Sequence, residues 1–182
     1  VDDPVMVRRA KAIKLSVDNI DNVLERSLDV DALERGAIRP LLLTQNVATV
    51  VARFCASHAS AGRFKLTLPD RLTVAVDADI LVLILKNLLD NAVKYSAGNS
   101  DIFVVMTADD TEFFVRVSNV SSHGLPASEQ LFTKYYRAPR AMSVSGMGLG
   151  LYWVGTVVKM LKGTIVYSTE NDLVVFTLCL PR

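Results

Sequence analysis

The 182-residue chain holds two cysteines, two histidines, no long uninterrupted apolar run and almost no net charge. Each scarcity closes off a class of function. Cys55 and Cys179 stand far apart in no CxxC pair, and with only His58 and His123 beside them these spacings cannot supply a zinc site. They read as buried reduced thiols, which points to a cytoplasmic setting. Twenty Lys+Arg against 19 Asp+Glu leave +1, which argues against the basic surface that captures nucleic acid. The densest apolar stretches are broken by Asp, Lys or Asn, so none has membrane-spanning length and no membrane contact is expected. No basic-then-apolar signal segment opens the chain, and its first residue, Val1, reads as the start of a piece of a longer protein. What is plentiful is apolar residue: 51% hydrophobic against 21% charged is the composition of a folded core. The length suits one compact domain with a short appendage.

The appendage is visible in the pattern. Met6, Ala10, Ile13, Val17, Ile20 and Leu24 recur at steps of four and three, a heptad seam with charged residues off it. A helix over 5–28 with so narrow a stripe needs a partner helix. Leu28 to Pro40, with Asp29, Asp31 and Gly36, reads as helix end and linker. The sequence therefore divides into 1–38 and 39–182.

The larger part reads as one α+β unit. A short strand is expected at Leu41–Leu43, then a helix capped by Thr44 and running to about Ser57. Alternation over Phe64–Leu68 and Leu72–Val76 predicts a hairpin-like pair. Asp77 or Asp79 caps a helix to Tyr95 with one strongly apolar face. Strands follow at Ile102–Thr107 and Phe113–Val117, then a short helix near Ser128–Tyr136 and a helix at Leu151–Leu161. Two last strands, Thr164–Ser168 and Leu173–Leu180, meet at the turn Asn171-Asp172.

Two stretches can carry chemistry. In Leu85-Lys-Asn-Leu-Leu-Asp-Asn-Ala-Val-Lys-Tyr-Ser96, Asn87, Asn91 and Lys94 fall at i, i+4 and i+7 on one helix face. Amide oxygens ligate Mg²⁺ and an ammonium neutralises phosphate, though a polar helix face can equally be just a solvated one. Gly146-Met-Gly148-Leu-Gly150-Leu151 opens a helix, where glycines admit a close phosphate and free N–H groups meet it. Its G-x-G-x-G spacing is not the dinucleotide fingerprint and lacks the P-loop lysine. A flexible loop is the bland alternative.

In this order the two stretches resemble the N and G2 boxes of the sensor histidine kinase ATP-binding domain, in the wider family shared with gyrase, Hsp90 and MutL ATPases. Leu131-Phe-Thr-Lys-Tyr-Tyr-Arg137 is similar to its F box, and Phe176-Thr-Leu-Cys-Leu-Pro181 to its last strand. The resemblance covers about 40–182 and implies a Bergerat-type fold, a two-layer sandwich of a mixed five-stranded sheet and about three helices, preceded by one amphipathic helix. It implies ATP and Mg²⁺ as ligands, with Asn91 on the metal, Asn87 in support, Lys94 on phosphate and Tyr95 on the base. Gly146, Gly148, Gly150 and Leu151 would line the triphosphate beneath a lid at Ala138–Ser145, flanked by Arg137 and Arg140. No side chain stands out as a general base. Residues 5–28 would be the second helix of a dimerisation and phosphotransfer hairpin, with a homodimer and a response regulator receiver domain as partners. The implied setting is cytoplasmic, with any membrane anchor elsewhere in the parent protein.

The family's G1 box, D-x-G-x-G, is altered. Counting back from Gly124-Leu-Pro puts Val120 at the aspartate and Ser122 at the first glycine; counting along the strand from Val115 and Val117 puts Asn119 at the aspartate. The second register follows strand alternation and is preferred. An asparagine still accepts a hydrogen bond from an adenine amino group, without charge. His58 and His123 are followed by Ala59 and Gly124, not by an acid, and read as ordinary surface histidines. The phosphoacceptor is then expected outside this chain. The altered box also allows a regulatory module with weak or absent nucleotide binding. Another ATPase of the superfamily fits less well, because Asn87 stands where a catalytic glutamate is expected.

Overall fold

The computed structural model describes residues 6–7, 9, 13–14, 17, 27–28, 30–122, 124, 130–139 and 146–182. The chain divides into two compact units, Val1–Ile38 and Arg39–Arg182. In the first, all described residues up to Glu34 are helical. Its end is built at Gly36, φ +66°: Ala37 N–H donates to Ala32 O and Gly36 N–H to Leu33 O, the paired bonds of a glycine C-cap. Met6, Ile13 and Val17 of the seam are exposed; Ala10, Ile20 and Leu24 lie outside the described residues.

The second unit runs β1 (Leu43–Asn46), α1 (Val47–Ser57), β2 (Phe64–Thr67), β3 (Thr73–Val76), α2 (Ala78–Tyr95), β4 (Ile102–Ala108), β5 (Glu112–Val120), α3 (Gly150–Met160), β6 (Thr164–Glu170) and β7 (Leu173–Pro181). Five strands form a mixed sheet in the order β2-β4-β5-β7-β6, with β2 parallel to β4 and the other pairs antiparallel. This is the expected α+β class. Ile102, Val104 and Met106 of β4 and Phe113, Val115 and Val117 of β5 point into the core, against which α2 and α3 pack. The opposite face leaves Phe103 and Val166 exposed.

The central element is α2. Leu81, Ile84, Leu85, Leu88 and Leu89 are fully buried, each contributing about 1.5–3 kcal/mol of apolar burial. Its first turn is capped by Asp77, whose Oδ1 accepts the Ile80 N–H at 3.0 Å while Oδ2 accepts the Leu41 N–H at 2.8 Å. One carboxylate thus starts the helix and ties the incoming chain to it.

Four expectations need correction. β2 and β3 do not pair: β3 joins β1 in a separate antiparallel ribbon, and β2 runs beside β4. Alternation says which side chains go inward but not which strand lies alongside; here Arg63 donates to Ser100 O at 2.8 and 3.0 Å, fixing β2 beside β4. Thr44 is no helix cap but a strand residue opposite Ala75; α1 starts after Asn46, whose Oδ1 accepts the Leu72 N–H. Residues 131–135 form turns, not a helix, since Tyr135 sits at φ +66°. His58 is no surface histidine: its ring packs against Phe54 and Phe64, Nδ1 accepts the Ser60 N–H, and Nε2 lies 3.1 Å from Asp90. With Nδ1 an acceptor, the proton sits on Nε2 and is donated to Asp90. His123 lies outside the described residues.

Candidate nucleotide site

The C-terminal half of α2 brings Asn87, Asn91 and Lys94 onto one half-buried stripe, away from the leucines that anchor the helix. Asn87 Nδ2 donates to Leu83 O at 2.9 Å, one turn back, which steadies its side chain. The Lys94 ammonium lies 5.0 Å from the centroid of the Tyr95 ring.

The strand β5 supplies the second wall. Asn119 continues the inward register of Val115 and Val117, flanked by Ile102 and Val174, and is only 3% exposed. Its Nδ2 donates to Val120 O at 3.2 Å, which turns the amide so that Oδ1 is the acceptor left to a ligand. The altered loop beyond is stitched to the end of α2. Tyr95 O accepts both the Ser122 N–H (3.0 Å) and the Ser122 hydroxyl (3.1 Å), and the Ala97 N–H donates to Val120 O. The Ser121 hydroxyl closes the turn on Gly124 O, with Gly124 at φ +74°. Two serines thus hold in place a loop that glycines would otherwise have to shape.

The third wall is the glycine loop. Gly146, at φ +146°, comes so close to Lys94 that an added Cβ would stand 2.7 Å from its Nζ. Gly148 is also left-handed, φ +71°, and Gly150 and Leu151 open α3. The N-cap residue of α3, Leu149, makes no side-chain cap and no acid sits in the first turn, so among the described residues the helix start keeps its leading N–H groups and partial positive charge. A lysine, two amides and an uncapped helix start converge here, a donor set that suits a polyphosphate with its cation. Among the described residues no group of three or more His, Cys, Asp or Glu could hold a metal ion, so a cation here would rest on amide oxygens and phosphate.

Arg137 is half-buried at the end of the 130–137 turn, while Arg140 and the lid residues 141–145 lie outside the described residues. Sequence reasoning did not foresee Ser121, Ser122, or the fit of Phe132 against Gly155. The last had a signal: a glycine inside an apolar helix marks a close approach.

The family described as Histidine kinase-, DNA gyrase B-, and HSP90-like ATPase matches residues 76–182. The chain is 27% identical over 190 residues to the sensor-like histidine kinase SenX3 of Mycobacterium tuberculosis, covering 99% of the chain and 46% of SenX3. It is 26% identical to the sensor protein KdpD of Escherichia coli, covering 96% of the chain and 20% of KdpD. The chain therefore spans less than half the length of these relatives. Among solved structures it is similar in fold to the Acinetobacter baumannii histidine kinase AdeS, at TM-score 0.76 and 20% identity, covering all of this chain and 86% of that one. It is similar also to full-length ShkA in complex with AMPPNP, at TM-score 0.77 and 21% identity, covering 96% of this chain and 38% of that one.

Proposed function

Because the chain belongs to the histidine kinase-, DNA gyrase B- and HSP90-like ATPase family, we propose that it is the catalytic ATP-binding region of a two-component sensor histidine kinase, passing the γ-phosphoryl group of ATP to a histidine outside this chain. One observation carries the reading most: Gly146, at φ +146°, lies against the Lys94 ammonium, which a Cβ there would meet at 2.7 Å, so helix stripe and glycine loop meet in one cradle.

In this reading Lys94, the glycines 146, 148 and 150, Leu151 and the uncapped start of α3 hold the phosphates. Asn91 ligates Mg²⁺ with Asn87 in support, Tyr95 packs on the base, and Asn119 Oδ1 accepts the adenine amino group. Arg137 and Arg140 flank the triphosphate. Bound Mg²⁺ supplies charge neutralisation across the phosphate oxygens. The chain's own task is positioning and electrostatics, which fits a site with no evident general base.

Residues 1–38 are assigned to the second helix of a dimerisation and phosphotransfer hairpin with its linker, and 39–182 to the ATP-binding domain. The exposed Met6, Ile13 and Val17 support pairing with a second copy. A response regulator receiver domain is the downstream partner. Among the described residues no helix is long and apolar enough to cross a membrane, and a cytoplasmic setting is part of the proposal. The altered G1 segment favours a second reading, a regulatory module that binds nucleotide poorly. The stitching of that loop by Ser121 and Ser122 supports the kinase reading instead.

A longer chain that adds the preceding segment with its histidine is expected to gain acid-labile phosphate from γ-labelled ATP. If it binds ATP yet never labels, the kinase reading fails and a non-kinase role gains; no binding at millimolar ATP favours the regulatory module instead.

A further inference from the structure

The turn at 130–137 grips α3 through residues that the nucleotide reading leaves without a task. An added Cβ at Gly148 would collide with the Tyr136 carbonyl oxygen and stand 2.7 Å from the Tyr135 carbonyl carbon. Both are backbone atoms and cannot swing aside. The Tyr135 N–H closes the contact by donating to Gly148 O at 3.1 Å. Tyr135 meanwhile adopts φ +66°, a left-handed conformation that a tyrosine rarely takes. Further along, the Lys134 ammonium lies 5.6 Å from the centroid of the Tyr152 ring. Beyond that, Gly155 receives the Phe132 ring, whose Cδ1 would be 3.3 Å from a Cβ there. Phe132 is itself held edge-on to Phe176, with centroids 6.3 Å apart. Tyr152 and Gly155 are spaced i, i+3 on one face of α3 and Gly148 lies in its lead-in, so these positions take Lys134, Phe132 and Tyr135 in antiparallel succession.

We propose that this seam is a positioning device. Phe132 and Tyr135, admitted by the small residues Gly155 and Gly148, fix where the start of α3 points and so set nucleotide affinity without touching the nucleotide. The inference rests on the nucleotide-site reading and goes beyond it. It gives Gly148 a second duty beside lining phosphate: its missing Cβ admits the Tyr135–Tyr136 backbone. Gly155 lies past the free N–H groups of the first turn, so an effect of this residue on binding must pass through the seam.

The test is Gly155→Ala in the whole chain, read by calorimetric titration with ATP and Mg²⁺ and by hydrogen exchange at the Tyr135 amide. Binding is expected to weaken about tenfold, with faster exchange at Tyr135. Phe132→Leu, which takes the ring out of the seam, is expected to weaken binding and speed Tyr135 exchange in the same way. Gly62→Ala, whose Cβ meets nothing within 4 Å, leaves both unchanged. Wild-type affinity in Gly155→Ala overturns the positioning role and leaves the nucleotide reading standing. Wild-type affinity in Phe132→Leu also overturns it, as does a loss of affinity with Tyr135 exchange unchanged, which marks general damage to helix packing. Absence of ATP binding by the unaltered chain overturns the nucleotide reading and this proposal together.

Discussion

Asn119 is where a single side chain bears most on what the site can do. It is buried, its Nδ2 is committed to Val120 O, and its Oδ1 can accept a hydrogen bond without bringing a charge into the sheet. Removing that acceptor is expected to weaken ATP binding about fivefold to tenfold, the worth of one hydrogen bond. Asn119→Ala titrated with ATP and with GTP checks this: ATP affinity falls while GTP, which offers no amino group at that ring position, is little changed. Equal losses would remove Asn119 from base recognition. Cys55 shows the opposite use of burial. It is 2% exposed, and burial pushes its thiol from 9.0 up to about 11. The folded chain therefore keeps this proton after the unfolded chain has lost it, and the contribution, complete below pH 9.0, is lost as pH rises toward about 11. Urea midpoints at pH 8 and pH 10.5 are expected to fall with rising pH, and to fall less in Cys55→Ala.

At the scale of elements, α2 joins sequence to site most directly. Asp77 caps it, five fully buried leucines and isoleucines seat it, and the same turns carry Asn87, Asn91 and Lys94 outward. Asp77→Ala removes both the cap and the acceptor for Leu41 N–H, and is expected to cost about 1–2 kcal/mol in chemical denaturation. A cost near zero would mean that the helix start is held by packing alone. This helix was legible from sequence because cap, apolar spacing and polar stripe all fall within one local window. Asn119 was legible too, through the alternation of β5. The pairing of β2 with β4 was not, because its determinant is Arg63 reaching Ser100, a contact between segments far apart in sequence. Nor were the turns at 131–135: Tyr135 takes its left-handed form against Gly148, and no helix propensity reports on that partner. His58 was misjudged for the same reason, since Phe54, Phe64 and Asp90 come to it from three elements.

At the scale of the molecule, the proposed anion site of a chain with +1 net charge rests on local placement, not on an overall field. Lys94, two amides and the free end of α3 suffice because the sheet and α2 bring them to one mouth. The Arg39–Arg182 unit carries all of these groups, which is why nucleotide binding is the function closest to the structure. Dimerisation through 5–28 and transfer to a histidine outside this chain are parts of the proposed function that stand beyond this unit. The most direct check is calorimetric titration of this chain with a non-hydrolysable ATP analogue and Mg²⁺. Saturable binding that drops about tenfold or more in Asn91→Ala is the expected result. Absence of binding at millimolar analogue, from a chain that is folded, would contradict the account at its centre.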